Sequence, residues 1–354
     1  FTNLHHGAGG GVRVTSVVPA VLSVWKLAHG QEAYYLESVA QGVEDYYVGG
    51  EAPGQWMAGG GRALGLAGQV SPDDLRAVLS GRDPSSGTRL GQPHKVPGFD
   101  LTFRAPKSVS VLFGLGDAGT ARQVRDAHDQ AVEAALDWAE RHVVWSRRGH
   151  GGTRQVRGQG LIAASFRHRT SRNGDPHLHT HVLVPNMVLG EDGKWATLDA
   201  RWVYTSAKTI GYLYEAQLRH NLTVALGVEW GQVVKGIADI EHIPPGVLKA
   251  FSTRRAEIEE RMALRNQHSA KAAMIAALDT RQRKLLKFRI RQIDHLGDEI
   301  ARQDLVEILG GELDRNGIVG QERFGSRCGD SDLQRRIKLD PFTTRDVRHL
   351  QPID

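Results

Sequence analysis

Four histidines lie between residues 166 and 181, in the sequence Phe-Arg-His-Arg-Thr-Ser-Arg-Asn-Gly-Asp-Pro-His-Leu-His-Thr-His. His179 and His181 are two positions apart, so on a β-strand they project from the same face with a spacing that suits a metal ion. A turn at Asn173-Gly174 would pair this strand with the preceding one and bring His168 opposite them. Three neutral imidazoles leave coordination positions open for water or substrate, as in a catalytic metal site.

His177 shares the strand parity of His179 and His181. It directly follows Pro176, where the strand pattern is not yet established, so we expect a reserve ligand or a substrate contact rather than a member of the triad. A lone histidine is more often an ordinary surface residue than a ligand. Three histidines in a His-x-His-x-His pattern on an apolar strand favour metal binding instead.

Two tyrosine pairs, Tyr34-Tyr35 and Tyr46-Tyr47, contain four of the seven tyrosines. Taken alone, such pairs are more typical of core or strand residues. Near a metal site a tyrosine has a second interpretation, because a phenolate can attack a phosphodiester and conserve the bond energy in a phosphotyrosyl ester. Such a reaction would be reversible.

The composition, with 40% hydrophobic and 24% charged residues, is ordinary for a globular protein. Eight arginines and no acidic residue lie between Arg141 and Arg172, which predicts a positive local potential that fits either nucleic-acid contact or a plain solvated surface. The single cysteine, Cys328, excludes an internal disulfide and indicates a reducing cytoplasm. No apolar run reaches the roughly 20 residues needed to cross a bilayer, so we expect no membrane insertion.

Periodicity places the chemical motifs on a mixed set of elements. Phe99 to Phe103 alternates like a strand, and the segment from Pro106 to Phe113 fits either a helix start or a second strand. Strands are predicted for residues 160–168 and 179–189, and helices for residues 71–80, 120–142, 204–226 and, as a charged region, 245–293.

These motifs together resemble one family, the MobF-class conjugative relaxases of the HUH endonuclease superfamily. The resemblance is carried by the two tyrosine pairs, by Asp-Leu-Thr-Phe-Arg-Ala-Pro-Lys-Ser-Val-Ser at residues 100–110, and by His168 with the Leu-His-Thr-His that ends at His181. It covers about residues 30–275. It implies an α+β fold, with an antiparallel sheet flanked by helices and a helical C-terminal region, and it implies nicking of single-stranded origin-of-transfer DNA in conjugation and plasmid mobilization.

The resemblance also implies roles for the tyrosines and the acid. Tyr34 matches the nucleophile of the first nick, ahead of Tyr35, and Tyr46 matches a tyrosine for a second transfer, ahead of Tyr47. Asp100 matches the acid beside the histidines, where it would either orient an imidazole or accept the phenol proton.

The ligand set and the DNA contacts follow in the same way. His168, His179 and His181 match the ligands of a divalent metal ion, for which the family implies Mg or Mn, whereas imidazole ligands also suit Zn or Co. Arg172 and Lys107 are candidate phosphate contacts that could equally be surface cations. His177 is a candidate DNA contact or reserve ligand.

The domain organisation is expected to have three parts. Residues 1–24 would be an extension without a role, residues 25–295 the relaxase domain, and residues 296–354 a C-terminal region without clear periodicity. The sequence has no Gly-x-x-x-x-Gly-Lys-[Ser/Thr] motif, so we expect no ATP-driven unwinding by this chain. Other relaxosome and coupling proteins are the expected partners.

Three alternative functions fit some of the same residues. A rolling-circle replication initiator shares the histidine motif, but its tyrosine usually follows the histidines. A non-catalytic single-stranded-DNA-binding remnant is conceivable, although the tyrosine and the histidines are intact. A histidine-metal hydrolase unrelated to DNA would leave the tyrosine pairs and the arginines unexplained.

Overall fold

The structure is a computed structural model that describes residues 21–37, 53–171, 173–265, 311–313 and 319–321. Its centre is a five-stranded sheet in which every neighbouring pair is antiparallel. In spatial order its strands are β1 (Leu22–Lys26), β3 (Gly98–Arg104), β7 (Pro176–Pro185), β6 (Ala163–Thr170) and β2 (Gln55–Met57).

Three two-stranded sheets complete the described strands. They are β4 (Trp145–Arg148) with β5 (Arg154–Arg157), β8 (Val188–Leu189) with β9 (Trp195–Ala196), and β10 (Gly311–Leu313) with β11 (Val319–Gln321).

Seven α-helices lie in the described part of the chain. They are α1 (Glu32–Glu37), α2 (Pro72–Leu79), α3 (Lys107–Leu115), α4 (Ala118–Val143), α5 (Ala200–Leu226), α6 (Pro245–Ala250) and α7 (Thr253–Leu264). Short 3-10 turns occur at Gly60–Leu64 and His150–Gly152. No described helix has the length and apolarity needed to cross a membrane.

Local capping explains where two of the helices begin. The side chain of Ser71 accepts a hydrogen bond from the backbone N–H of Asp74, and Pro72 occupies the first turn of α2. Asp117 caps α4 by accepting from the N–H of Thr120 at 2.6 Å. The predicted helix over residues 120–142 is therefore observed as α4, which extends from Ala118 to Val143.

The segment after Pro106, which periodicity left open, is the helix α3. It is buried along most of its length, because it packs between α4 and β7. A helix with apolar residues on nearly all sides has no helical period to detect, which is why the pattern did not distinguish it from a strand.

Each face of the sheet has its own cover. Phe99, Leu101 and Phe103 share one core cluster with residues of the long helices α4 and α5. The residues between them on β3 project from the opposite face, where Tyr35 of α1 and Leu75 and Leu79 of α2 pack over Phe166 and Leu183 in a second cluster. The histidines belong to this second face.

Strand β1 extends to the N-terminal side of the expected domain start at residue 25. This strand begins at Leu22 and pairs along its whole length with β3. Val21 and Leu22 are each only 7% exposed and belong to the main core cluster. A domain that began at residue 25 would lack most of this edge strand. The strand was not predicted from the sequence, because the segment is short and closely follows Pro19.

Candidate active site

The three predicted ligands, His168, His179 and His181, come together on strands β6 and β7. His168 pairs directly with His179 across the two strands, and the candidate ligand atoms of all three lie within 4.8 Å of one another. The ring centroids of the three pairs are 5.0 to 5.2 Å apart. The geometry that the strand parity predicted is therefore present.

Hydrogen bonds at Nδ1 orient two of these imidazoles. His179 Nδ1 lies 2.7 Å from the backbone carbonyl of His177, and His181 Nδ1 lies 2.8 Å from a carboxylate oxygen of Asp100. Both partners are acceptors, so each Nδ1 carries the hydrogen and each Nε2 keeps a lone pair for a metal ion. Burial, reinforced by the neighbouring histidines, lowers the pKa of His179 well below its usual value and keeps the ring neutral.

Asp100 is the acid that holds this arrangement in place. It is 5% exposed and accepts hydrogen bonds from the hydroxyl of Tyr35 at 2.9 Å, from the hydroxyl of Thr102 at 3.1 Å and from His181 Nδ1. Three donors therefore satisfy the oxygens of this buried carboxylate. Asp100 therefore fixes the orientation of the His181 ring from a position that is hardly exposed to solvent.

The two tyrosines of the first pair occupy different environments on α1. Tyr35 is 2% exposed and packs against Phe166 and His181 as well as bonding to Asp100. Tyr34 is 37% exposed, and its ring centroid lies 6.2 Å from that of His168. Of the two hydroxyl-bearing side chains, Tyr34 is the one that a large substrate can reach.

His177 is already within strand β7, which begins at Pro176, so the expectation that the strand starts after His177 is wrong. Its ring packs on His179 with centroids 4.5 Å apart, and its carbonyl binds His179 Nδ1. His177 does not belong to the set of ligand atoms within 4.8 Å. It supports His179 rather than replacing it.

Lys107, expected as a DNA contact, uses its ammonium group within the fold. Nζ donates to the carbonyl of Pro176 at 2.8 Å and to that of Phe251 at 2.6 Å. Burial lowers its pKa to about 8. These bonds attach the start of α3 both to the start of β7 and to the end of α6, so the side chain is engaged in the fold rather than presented to a ligand.

The arginine tract is less positive than its sequence indicates, because four of its members pair with acids outside the tract. These ion pairs are Arg147 with Asp199, Arg148 with Asp192, Arg157 with Glu191, and Arg167 with Asp129. The positive local potential expected from the sequence is therefore reduced at these four arginines. The sequence alone does not reveal these ion pairs, because all four acids lie outside the arginine tract and meet it only in the folded protein.

Three further residues of the site's face were not predicted. Strand register places Arg104 opposite His179, Trp25 opposite Asp100 and Ser23 beside Arg104, whose Nη1 donates to the Ser23 hydroxyl at 2.8 Å. The alternation of β3 was the available signal, since Arg104 has the same parity as Asp100. The remaining expected site residues, Tyr46, Tyr47 and Arg172, lie outside the described residues.

The donor set suits a divalent metal ion. Three imidazoles, two of them fixed with Nε2 available, match the ligands of catalytic sites that use nitrogen donors. A second group with close ligand atoms, formed by Glu229, Glu241 and His242, is fully exposed, and such clusters are common without a bound ion. The histidine triad is the better candidate centre.

Fold and site together define a class: an antiparallel sheet covered by helices, with a histidine triad and an accessible tyrosine beside it. The family model described as "TrwC relaxase" matches residues 28–295, more than half of the chain. The chain belongs to this relaxase family, and its resemblance to MobF-class conjugative relaxases is confirmed.

Individual relatives agree with this assignment. The chain is 36% identical over 276 residues to the Escherichia coli "Multifunctional conjugation protein TraI", an alignment that covers 74% of this chain and 15% of the relative. It therefore spans only a small part of that curated relative. A TraI of Escherichia coli strain K12 is also 36% identical, over 255 residues, which is 68% of this chain and 14% of the relative.

Solved structures of the conjugative relaxase TrwC have the same fold. The metal-bound complex of TrwC with oriT DNA has a TM-score of 0.68 and 29% identity, covering 80% of this chain and 98% of that one. TrwC with a 27-mer DNA that comprises the recognition hairpin and the cleavage site has a TM-score of 0.63 and 29% identity, covering 82% and 98%. The expected α+β fold with an antiparallel sheet is confirmed.

Proposed function

We propose that this chain nicks one strand of DNA at an origin of transfer by tyrosine attack, and rejoins strands by the reverse reaction. The observation that carries the proposal is the position of Tyr34, accessible and adjacent to His168 of the histidine triad. Support comes from the TrwC relatives, whose solved complexes contain oriT DNA, and from the conjugation protein TraI.

In the proposed reaction the phenolic oxygen of Tyr34 forms a bond to the scissile phosphorus, and the bond from phosphorus to the 3′ oxygen breaks. The products are a 5′-phosphotyrosyl protein and a free 3′-hydroxyl, which takes up a proton. A phenol ionises near pH 10 in water, so a base must accept its proton as the bond forms. Attack by a new 3′-hydroxyl reverses these steps and joins the strands.

We infer that His168, His179 and His181 would hold a divalent ion, with Mg or Mn as the first candidates and Zn or Co compatible with the imidazole donors. When bound, the ion would withdraw charge from a non-bridging oxygen of the phosphate.

The chain's own residues supply the positioning. Asp100 keeps the Nδ1 hydrogen on His181 and so presents Nε2, which is an orienting role. Tyr35 connects α1 to that same carboxylate, which fixes the helix that carries Tyr34. In this arrangement Tyr35 is a positioning residue, and Tyr34 is the nucleophile.

The rolling-circle initiator is the weaker alternative, because the tyrosine helix α1 precedes both histidine strands in the chain. A non-catalytic DNA-binding remnant is disfavoured because the triad, Asp100 and Tyr34 are all in place. We further propose that the protein acts in the cytoplasm with other relaxosome and coupling proteins, which the name of its conjugation relative supports.

The test is covalent capture. Incubation with end-labelled single-stranded oligonucleotides bearing an origin of transfer, with Mg or Mn, should give a labelled protein band whose nucleotide maps to Tyr34. Tyr34→Phe keeps the ring and removes the hydroxyl, so it should bind DNA and form no adduct. Tyr35→Phe is the matched control and should still form the adduct, more slowly.

The second pair is tested in the same assay. Tyr46→Phe should nick and form the adduct, and lose at most a second transfer step. An adduct that maps mainly to Tyr46 or Tyr47, with Tyr34→Phe still active, would reverse the two roles. Absence of any adduct with the unaltered protein, over a set of origin sequences and both metals, would contradict the proposed function itself.

A further inference from the structure

The edge strand β1 borders the face of the sheet that carries the histidines. Residues paired directly across antiparallel strands project from the same face. Trp25 pairs with Asp100, Ser23 pairs with Thr102, and Arg104 pairs with His179. Tryptophan, serine and arginine side chains therefore continue the site from the histidine triad to the edge of the sheet.

Arg104 holds a positive charge next to the triad without an acidic partner. Among the described residues the guanidinium forms no ion pair with a carboxylate, and its one hydrogen bond to them goes from Nη1 to the hydroxyl of Ser23 at 2.8 Å. Asp100 is near enough to favour the charged form, although burial lowers the pKa of Arg104. Several guanidinium N–H groups thus remain available for an anion.

Trp25 is accessible on the same face. Its side chain is 44% exposed, and it makes no aromatic contact or hydrogen bond with any other described residue. Single exposed apolar residues are common, so exposure alone has no functional meaning. Here the indole lies two positions from Ser23 on the same strand face and opposite Asp100. Ser23 in turn accepts a hydrogen bond from Arg104, whose other N–H groups have no hydrogen-bond partner among the described residues.

We propose that Trp25, Ser23 and Arg104 form a nucleotide subsite for the single-stranded DNA substrate on the β1 side of the triad. Arg104 binds a backbone phosphate through the planar guanidinium that Ser23 orients, and the indole of Trp25 stacks on a neighbouring base. The phosphate provides the direct anionic partner that Arg104 lacks among the described residues. This inference rests on the proposed function, because it takes DNA as the ligand of this face.

Binding without cleavage isolates the subsite. The Tyr34→Phe protein in EDTA is titrated into a fluorescently labelled single-stranded oligonucleotide, and the dissociation constant is measured by anisotropy at several salt concentrations. Adding Arg104→Gln should weaken binding and lower the salt slope by about 0.7, the value for one neutralised phosphate on a single strand. Arg104→Lys keeps a cation and should retain more of the slope, although it loses the bidentate geometry.

The stacking contact has a different signature. Trp25→Leu should weaken binding roughly 5- to 100-fold, as expected for one stacked base, and leave the salt slope unchanged. An abasic nucleotide scanned along the oligonucleotide should reproduce this loss at one position. At that position Trp25→Leu should have no additional effect, since the base it stacks on is missing.

Two controls match the substitutions. Arg76→Gln removes an exposed arginine that pairs with Asp73 on α2, and Trp202→Leu removes an indole that is 37% exposed on α5, on the other side of the sheet. Neither should change the dissociation constant or the slope. Thermal unfolding of every variant shows whether it is folded at the assay temperature.

Different experimental outcomes would contradict the proposed subsite and the proposed function. If the unaltered protein forms the covalent adduct while the Arg104 and Trp25 variants, folded, bind DNA as tightly as the parent, the subsite is wrong and the function stands. If Arg104→Gln weakens binding with an unchanged salt slope, the phosphate contact is refuted. A position-independent effect of the abasic nucleotide would refute the stacking contact.

Discussion

At the scale of single residues, Asp100 shows how a buried carboxylate can determine which nitrogen of an imidazole faces the site. It accepts from His181 Nδ1, from Tyr35 and from Thr102, so its charge is compensated by three donors. The same bond that satisfies the acid leaves His181 Nε2 as the ligand atom. A substitution that removes this carboxylate should therefore reduce the affinity for a metal ion more than it reduces the stability of the fold.

Asp100→Asn tests this expectation. The amide keeps the size of the side chain but adds donors opposite His181 Nδ1, which favours the wrong tautomer, and loss of such a partner typically weakens metal binding about 10- to 100-fold. Isothermal titration with Mn²⁺ is the measurement. His179→Ala, which removes a ligand, sets the size of a full loss, and Asp192→Asn, a partly exposed acid paired with Arg148, is the matched control.

An Mn²⁺ affinity of Asp100→Asn equal to that of the unaltered protein would show that Asp100 does not orient the ligand. Wild-type cleavage that survives thorough chelation would be a stronger contradiction, because it would remove the metal from the proposed reaction altogether.

At the scale of elements, strand β7 is anchored on both of its faces. His179 and His181 project toward the site, and Thr180 between them projects toward the helices, where its hydroxyl lies 2.8 Å from His128 Nε2 of α4. His128 Nδ1 lies 2.8 Å from the hydroxyl of Tyr214 on α5. The chain of three side chains thus connects both long helices to the centre of the metal strand.

Both imidazole nitrogens of His128 are satisfied only while the two hydroxyls remain. The ring is fully buried, and burial with the nearby Arg167 lowers its pKa to about 3, so it stays neutral. Thr180→Val and Tyr214→Phe each leave one nitrogen of His128 unpaired, which should cost about 1 to 3 kcal/mol of unfolding free energy. Urea denaturation measures this cost.

The control for this pair of substitutions is Thr205→Val on the exposed side of α5, which should change stability by less than about 0.5 kcal/mol. The double variant should differ from the sum of the singles, because both act through one ring. Additive effects, or singles as mild as the control, would mean that the network does not support β7.

The sequence predicts those parts of the site that depend on one strand and its hairpin neighbour. The parity of His179 and His181, together with the Asn-Gly turn, suffices to place His168 opposite His179. Trp25 was missed because its placement depends on β1 lying next to β3, and Arg104 because its placement opposite His179 depends on β3 lying next to β7. Both pairings join segments more than 70 residues apart. Such strand order is not encoded in local periodicity.

The ion pairs of the arginine tract were missed for the same reason. Arg167 meets Asp129 of α4, and Arg148 meets Asp192, only after the sheet and its helices have assembled. Local charge counting cannot register acids that arrive from elsewhere. The resemblance to a family supplied the fold and the order of the motifs, whereas the partners of individual cations came only from the three-dimensional arrangement.

At the scale of the whole molecule, the helix side of the sheet carries ionisable groups that oppose one another as pH changes. Glu215 on α5 is 1% exposed, and burial raises its pKa to about 8 despite Arg219 at 3.5 Å. His128 has the opposite shift. The folded protein therefore binds one proton more than the unfolded chain at Glu215 and one fewer at His128, each in its own pH range.

The direction of each pKa shift determines how that group's contribution to stability changes with pH. Glu215 has a folded pKa above the usual 4.5, so its contribution to stability is fully present below pH 4.5 and is lost as pH rises to about 8. His128 has a folded pKa of about 3 against 6.5, so its contribution is present above pH 6.5 and is lost as pH falls toward 3. Between pH 6.5 and 8 the loss at Glu215 proceeds without the opposing change at His128.

Glu215→Gln isolates this effect, since the amide resembles the neutral acid and does not titrate. Measured by urea denaturation at closely spaced pH values, the unfolding free energy of the unaltered protein should fall relative to that of Glu215→Gln by on the order of 4 kcal/mol as pH rises from 5 to 9. The exposed Glu259→Gln on α7 serves as control and should give a flat difference. A flat difference for Glu215→Gln as well would mean that the carboxyl ionises in the folded protein at its ordinary pKa and that Arg219 compensates its burial fully. A difference that falls steadily between about pH 5 and pH 8 and levels off above pH 8 would instead place the proton on Glu215 at neutral pH, within a helix that packs against the sheet behind the histidines.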